Sequence, residues 1–366
     1  MEIECVKDKL KNALVKVNRT TGKHASLPVL SYILIIAEQN KIILRSTNLD
    51  VGVEIEMAAK VKKEGSVAVP GTVLGQLLGT LQKDKTVTLS GKEGNVYIKT
   101  DSSETTITGV NGDDFPTLPV VNNGDGFEVD AECIVHGVRS VVYSASTSDI
   151  KPELSSVYMY GEGGGIKFVA TDSFRLAEKS ISIKNIRAFP GVLIPFKNAN
   201  EIATILEDVN GSVDVLFSGT QIAVSAGDIY ITSRLVDATF PDYKQIIPTE
   251  ESTQAVLLKQ DVMNVLKINT IFANKFNQIF IHINPKNKEF SIQTKNTQLG
   301  ENKTRIDGSL SGELVDMSVN YKYINDALPT IKSDSISLSF NGGNKPVIIK
   351  GVDDNTFRYL VMPMNR

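Results

Sequence analysis

A pattern of helices and strands that occurs three times along the chain, about 125 residues apart, constrains the fold more than any other feature, because it calls for three like domains rather than one large core. The first copy runs through Leu27-Pro28-Val29-Leu30-Ser31-Tyr32-Ile33-Leu34, Leu44-Arg45-Ser46-Thr47-Asn48-Leu49-Asp50 and Val67-Ala68-Val69-Pro70, which leads into Val73-Leu74-Gly75-Gln76-Leu77-Leu78. The second has Lys151-Pro152-Glu153-Leu154, Val169-Ala170-Thr171-Asp172-Ser173-Phe174-Arg175-Leu176 and Leu193-Ile194-Pro195 at matching offsets. Phe276-Asn277-Gln278-Ile279-Phe280, Ser291-Ile292-Gln293-Thr294 and Met317-Ser318-Val319-Asn320 complete the third. Asp114-Phe115-Pro116 and Thr239-Phe240-Pro241 close the first two copies, since proline suits an exit from a sheet better than an inner strand. The division expected is 1–121, 122–248 and 249–366.

Each copy reads as a helix, several short strands, a second helix and further strands. In the first copy the helix is expected over Val6 to Asn18, with Val6, Leu10, Ala13, Leu14 and Val17 on one buried face. Its other face carries Lys7, Lys9, Lys11, Lys16 and Arg19 against Asp8. Alternating pairs such as Thr86–Ser90 and Val96–Thr100, joined by Gly91-Lys92-Glu93-Gly94, predict antiparallel hairpins. The class is α+β, with two helices per domain.

Net charge of −3 excludes a protein that holds nucleic acid through bulk positive charge, so any such role needs segregated basic residues. Cys5 and Cys133 have neither metal-type nor redox-type spacing and read as reduced thiols. The amino-terminal residues lack the apolar core of a secretory signal, and the greasy run Val29 to Ala37 is too short to span a bilayer, so a cytoplasmic location is expected. His24, His136 and His282 fall in three separate copies, and no phosphate-cradling glycine pattern opens a helix. Neither a catalytic residue nor a metal or cofactor site is expected. The terminal stretch Phe357-Arg358-Tyr359-Leu360-Val361-Met362-Pro363-Met364 is unusually apolar, and its flexible methionines suit a surface that accepts several partners.

Val169-Ala170-Thr171-Asp172 with Arg175-Leu176-Ala177, Phe240-Pro241-Asp242-Tyr243 and Tyr359-Leu360-Val361-Met362-Pro363-Met364, together with the triple repeat, resemble the bacterial DNA polymerase III beta subunits, the replicative sliding clamps. The resemblance covers the full length. It implies three clamp-type domains per chain and a head-to-tail homodimer ring, sheets outside and helices lining a hole for duplex DNA. A clamp loader would place the ring, and replicative polymerase and repair proteins would bind it through short hydrophobic peptides. Positions matching the family's peptide pocket are Leu154, Thr171, Arg175, Leu176, Pro241, Ile246, Val347, Leu360, Met362 and Met364, with Asn320 and Tyr323 on the rim.

Three departures adjoin that pocket: Ser173-Phe174 stands where the family usually has Gly-His, Gln245 where it has a basic residue, and Asn365-Arg366 where it ends in Arg-Leu. The DNA-facing candidates are Lys7, Lys11, Arg19, Lys23, Arg139, Lys151 and Lys197, with His24 and Ser148 at positions where the match is weaker. The subunit joint is expected between the edge around Tyr97, Lys99 and Ile107 and a surface formed by Ile271, Phe272 and the segment containing Lys303. Charges there are weakened or reversed relative to many members, with Lys99, Asp101 and Glu104 against Lys295, Glu301, Lys303 and Arg305.

Overall fold

The computed structural model describes residues 1–22, 27–81, 84–122, 124–183 and 186–364. One order of elements recurs in three rounds. The first consists of β1 (Glu2–Val6), α1 (Lys7–Val17), β2 (Tyr32–Glu38), β3 (Lys41–Thr47), β4 (Val51–Ala58), β5 (Lys60–Lys63), β6 (Gly65–Pro70), α2 (Gly71–Thr80), β7 (Thr86–Lys92), β8 (Asn95–Lys99) and β9 (Glu104–Thr108). The second has β10 (Asp125–Asp130), α3 (Ala131–Val141), β11 (Ser156–Glu162), β12 (Gly165–Thr171), β13 (Arg175–Ser182), β14 (Val192–Pro195), α4 (Phe196–Leu206), β15 (Ser212–Ser218), β16 (Gln221–Ala226) and β17 (Ile229–Arg234). The third has β18 (Thr253–Leu258), α5 (Lys259–Ile271), β19 (Gln278–Asn284), β20 (Glu289–Asn296), β21 (Gly300–Arg305), β22 (Gly308–Gly312), β23 (Val315–Asn320), α6 (Tyr321–Ala327), β24 (Ser335–Phe340), β25 (Val347–Gly351) and β26 (Phe357–Val361). Thus β4, β13 and β21 are equivalent, as are β9, β17 and β26.

Contacts divide the chain into two compact units, Met1–Val135 with Glu201–Leu235 and His136–Asn200 with Val236–Arg366. The second repeat contributes to both, because its strands extend the sheets of its neighbours. In the first unit, β4 pairs with β17 within an eight-stranded sheet of order β10-β15-β16-β17-β4-β3-β2-β6, and a five-stranded sheet runs β5-β1-β7-β8-β9. In the second unit, β13 pairs with β26 within a nine-stranded sheet of order β14-β11-β12-β13-β26-β25-β24-β18-β22, beside a four-stranded sheet, β21-β20-β19-β23. Both junctions are antiparallel and join β4-type to β17-type strands.

Within the first unit, Leu10, Ala13, Leu14 and Val17 are buried on one face of α1, as their spacing predicts. Val6 departs from the expected helical face: it still pairs with Thr86 as the last residue of β1 and is 46% exposed. Lys16 Nζ donates to the carbonyl of Ile205 at 2.8 Å, satisfying an acceptor in the last turn of α4, and Arg19 bonds Glu201 at 2.6 Å. The β7–β8 turn takes positive φ at Glu93 (54°) and Gly94 (77°), the conformation that matches hairpin twist. Burial pushes the free thiol of Cys5 up to about 12, leaving it protonated and inert at neutral pH.

In the second unit α5 is tied to its sheet by a buried amide. Asn269 is fully buried; its Nδ2 donates to the Val265 carbonyl at 2.8 Å, and its Oδ1 accepts from the Thr294 hydroxyl on β20 at 2.9 Å. Replacing Asn269 with Ala leaves the Thr294 donor unsatisfied in the interior. The expected loss is about 1–3 kcal/mol of stability, read from the denaturant midpoint of the intact chain; an unchanged midpoint would contradict this account.

Candidate functional site

The β13–β26 ladder assembles the candidate groove in the second unit. Arg175 lies opposite Val361 and Leu176 opposite Leu360, while Val347 on β25 lies opposite Val361 from the other side. Beyond the ladder, the Met362 N–H donates to the Phe174 carbonyl at 2.8 Å and the Met364 N–H to the Ser318 carbonyl at 2.7 Å. Residues almost two hundred positions apart in the chain therefore share one surface.

Beneath it lies an apolar cluster of Tyr160, Val169, Leu176, Leu193, Phe240, Tyr243, Ile348 and Leu360. Tyr158 stacks on Phe240 at 4.8 Å, and Phe240 packs edge-on to Tyr243. A polar chain crosses this cluster: the Tyr160 and Tyr243 hydroxyls are 2.7 Å apart, and Tyr243 donates to the buried Glu178 carboxylate. Burial, and then the hydrogen bond to Glu178, push the Tyr243 phenol far above the ordinary tyrosine range, so it stays a donor.

A cavity of about 660 Å³ opens above, lined by Gln245, Ile246, Ile247, Pro248, Pro346 and Met362 among others. Ile246 is 47% exposed, Pro241 is exposed, and Gln245 donates to Asp242 at 2.8 Å. Leu154, Thr171, Leu176, Val347 and Leu360 are buried, so they act as floor and support rather than open wall. Val347 in particular has no exposed surface.

At one end, the turn before β13 is held by Asp172, whose carboxylate accepts from the N–H groups of Phe174 and Arg175 at 2.9 and 3.0 Å. Ser173 takes φ +77°, a left-handed conformation that a glycine would adopt without strain. The turn leaves Phe174 61% exposed. Arg175 is gripped by Asp172 at 3.0 Å and by Asp326, and its guanidinium lies 4.6 Å from the Tyr323 ring centre. Asn320 caps α6 by accepting from the Lys322 N–H at 3.0 Å. Asp326 was missed in the sequence, although its three-residue offset from Tyr323 puts both on one helical face.

The basic candidates are dispersed. Lys7 corrects the expectation that it faces DNA: it is 7% exposed and donates to the Leu81 carbonyl, because α1 starts with this side chain packed into the interior. Lys11 is half-buried, and Arg19 pairs with Glu201. In the second unit Arg139 donates to Asn200 at 2.6 Å, Lys197 lies over Phe196, and Lys151 and Ser148 are exposed. Lys23 and His24 lie outside the described residues, as do Asn365 and Arg366. Of the edge candidates, Tyr97 is 44% exposed, Ile107 is buried, Ile271 is 65% exposed, and Phe272 is half-buried. Lys99 pairs with Glu104, and Lys303 with Glu289 at 3.1 Å. Among the described residues no helix is long and apolar enough to cross a membrane, and no cluster of three His, Cys, Asp or Glu side chains could hold a metal.

Residues 1–119, 128–242 and 244–365 match the N-terminal, central and C-terminal domains of the DNA polymerase III beta subunit. The chain belongs to the DNA polymerase III beta subunit family. Members of it are sliding clamps for DNA replication, non-catalytic processivity factors, and that is the function of this chain. The beta sliding clamps of Synechococcus elongatus and Synechocystis sp. are 24% and 27% identical to it, each over 100% of this chain and 99% of the relative. The fold matches the crystal structure of the Thermotoga maritima DNA polymerase III beta subunit (TM-score 0.94, 25% identity) over 100% of this chain and 99% of that one. It also matches a Pseudomonas aeruginosa sliding clamp bound to griselimycin (TM-score 0.94, 23% identity) over 100% of both chains.

At the groove of this beta subunit, Glu162 bonds Lys167 and Lys244, each at 2.8 Å. Hydrogen bonds from these two ammonium groups lower its carboxyl from 4.5 to about 2. A depressed carboxylate stabilises the fold fully above its unfolded value and loses that contribution as pH falls through the folded one. Thermal midpoints of the native protein and Glu162→Gln should therefore differ at pH 5 and converge towards pH 2. A gap that stays constant would exclude this ion pair as the cause.

Proposed function

We propose that two copies of this chain close head to tail into a ring around duplex DNA, in the cytoplasm, with domains divided near residues 121 and 248. The observation that carries the ring is the pairing of β4-type with β17-type strands at both internal junctions, which leaves β21 and β9 as the remaining members of the two classes. Among the described residues each pairs on one side only. A free edge is a template for another strand, and two chains of three repeats close a ring of six with no edge of either class left over. Apolar surface supports the same reading. A cavity of about 490 Å³ beside β9 is lined by Pro70, Val73, Leu77 and Ile107, while Ile271 and Leu299 flank β21 at 65% and 63% exposure.

The ring's contact with DNA is sequence-blind, through Lys11, Arg19, Lys23, His24, Arg139, Ser148, Lys151 and Lys197, and topology rather than affinity retains it. A clamp loader opens and places it. The groove takes short hydrophobic peptides of the replicative polymerase and repair proteins, with Phe174, Ile246, Met362 and Met364 meeting the peptide's apolar side chains and Arg175, Gln245, Asn320 and Tyr323 fixing its path. A cavity with an apolar wall of Ile246, Ile247, Pro248, Pro346 and Met362, faced by polar Gln245, Asn341 and charged Lys244, Glu250 and Lys345, supports this assignment.

Retention on nicked circular DNA, after loading by a cognate clamp loader with ATP, should vanish when the circle is cut. Persistence after linearisation would mean ordinary adhesion rather than encirclement. For the groove, Met362→Ala should weaken a polymerase-derived peptide by about 1–3 kcal/mol, as for an interface anchor. Undiminished affinity in a fluorescence titration would remove Met362 from the site.

A further inference from the structure

The two internal junctions share a register that can be carried to the free edges. In each β3-type hairpin, an Asn or Asp side chain accepts two N–H groups of the turn: Asn48, Asp172 and Asn296. Two positions earlier, Ser46, Ala170 and Thr294 lie opposite Val53, Ala177 and Asn302. Val53 pairs with Ile231, and Ala177 with Tyr359. On the other edge, Ile231 lies opposite Val224, three residues after the hairpin-closing Gln221; Thr105 lies opposite Ile98, three after the hairpin-closing Asn95. Thr105 is therefore the counterpart of Ile231, and Asn302 that of Val53. The faces agree, since Thr105 and Asn302 are both partly buried whereas Glu104 and Lys303 are both exposed.

One residue further along, Tyr230 faces Glu54 and Arg358 faces Glu178. The second pair is ionic, with Arg358 Nε 3.6 Å from Glu178 Oε1. At the free edges the same position holds Glu104 and Lys303, with signs exchanged. We propose that Glu104 of one copy sits directly opposite Lys303 of the other, and that this swapped ion pair, in a row Lys99–Glu104–Lys303–Glu289, sets the register of the subunit joint. The row alternates in sign, and its outer pairs, Lys99 with Glu104 and Lys303 with Glu289, already exist within one chain. Like charges at this point would oppose each other across the strands. The inference rests on the head-to-tail dimer proposed above.

The test is sedimentation equilibrium of four full-length proteins: the native chain, Glu104→Lys, Lys303→Glu and the double variant. Each single reversal should weaken dimerisation roughly tenfold or more, and the double exchange should dimerise more tightly than either single, because the signs across the joint are again opposite although Lys99 and Glu289 then face like charges within each copy. A native dimer whose double variant is as weak as the singles overturns the pairing but leaves the dimer standing. A native chain that sediments only at 39.9 kDa instead removes the dimer itself. Oxidation of Thr105→Cys/Asn302→Cys should give a covalent dimer, since directly opposed Cα atoms lie within disulfide reach. A cross-link formed equally well by Thr105→Cys/Thr304→Cys would overturn the register.

Discussion

Strand edges organise this molecule. Each edge carries a row of backbone donors and acceptors that must find partners, and antiparallel pairing between repeats is how the chain satisfies them. The β4–β17 ladder makes one sheet of strands from the first and second repeats; the β13–β26 ladder does the same for the second and third. The groove depends on the second ladder directly. Without it the Phe174 carbonyl and the Met362 N–H would not meet, and the cluster of Leu176, Phe240, Ile348 and Leu360 would not form.

The same economy governs the cations. A net charge of −3 leaves little for bulk attraction to a polyanion, and several basic side chains are engaged inside the protein. Lys7 and Lys16 satisfy backbone carbonyls, and Arg19 holds Glu201. A protein that had to grip DNA by releasing many counterions would be handicapped by this arrangement. A closed ring is not, because its retention does not scale with the number of phosphates neutralised. Weak contact also favours sliding, since each ionic contact must break at every step.

The repeat, the antiparallel hairpins and the apolar face of α1 were legible because they depend on local periodicity and turn chemistry. The start of α1 was misplaced by one residue because Val6 suits a strand and a helical face equally; only its ladder partner Thr86 decides. Lys7 was misjudged for a related reason: charge patterning assumes a solvated face, and its acceptor lies 74 residues away. The division into two units could not be read from spacing at all, since it follows from pairing between repeats. In the groove, residue types along β13 and β26 were informative, but the partners that orient them were not. Glu178 lies 65 residues from Tyr243, and Asp326 lies 151 from Arg175. Such pairs leave no mark on periodicity.

The turn before β13 joins these themes. Asp172 must accept two N–H groups and also hold Arg175, and the left-handed backbone at Ser173 is what permits both. Leu49 adopts nearly the same φ, 76°, in the equivalent turn of the first repeat, so the conformation belongs to the hairpin rather than to the groove. A side chain other than glycine costs about 1–2 kcal/mol there, and the Asp172 bonds offset it. What the second repeat adds is Phe174, an exposed ring whose carbonyl is pinned by Met362. That hydrogen bond fixes the backbone that presents the ring and leaves the side-chain torsions of Phe174 free. The residue pair Ser173-Phe174 thus presents an exposed aromatic ring from a turn whose backbone is held by Asp172 and Met362.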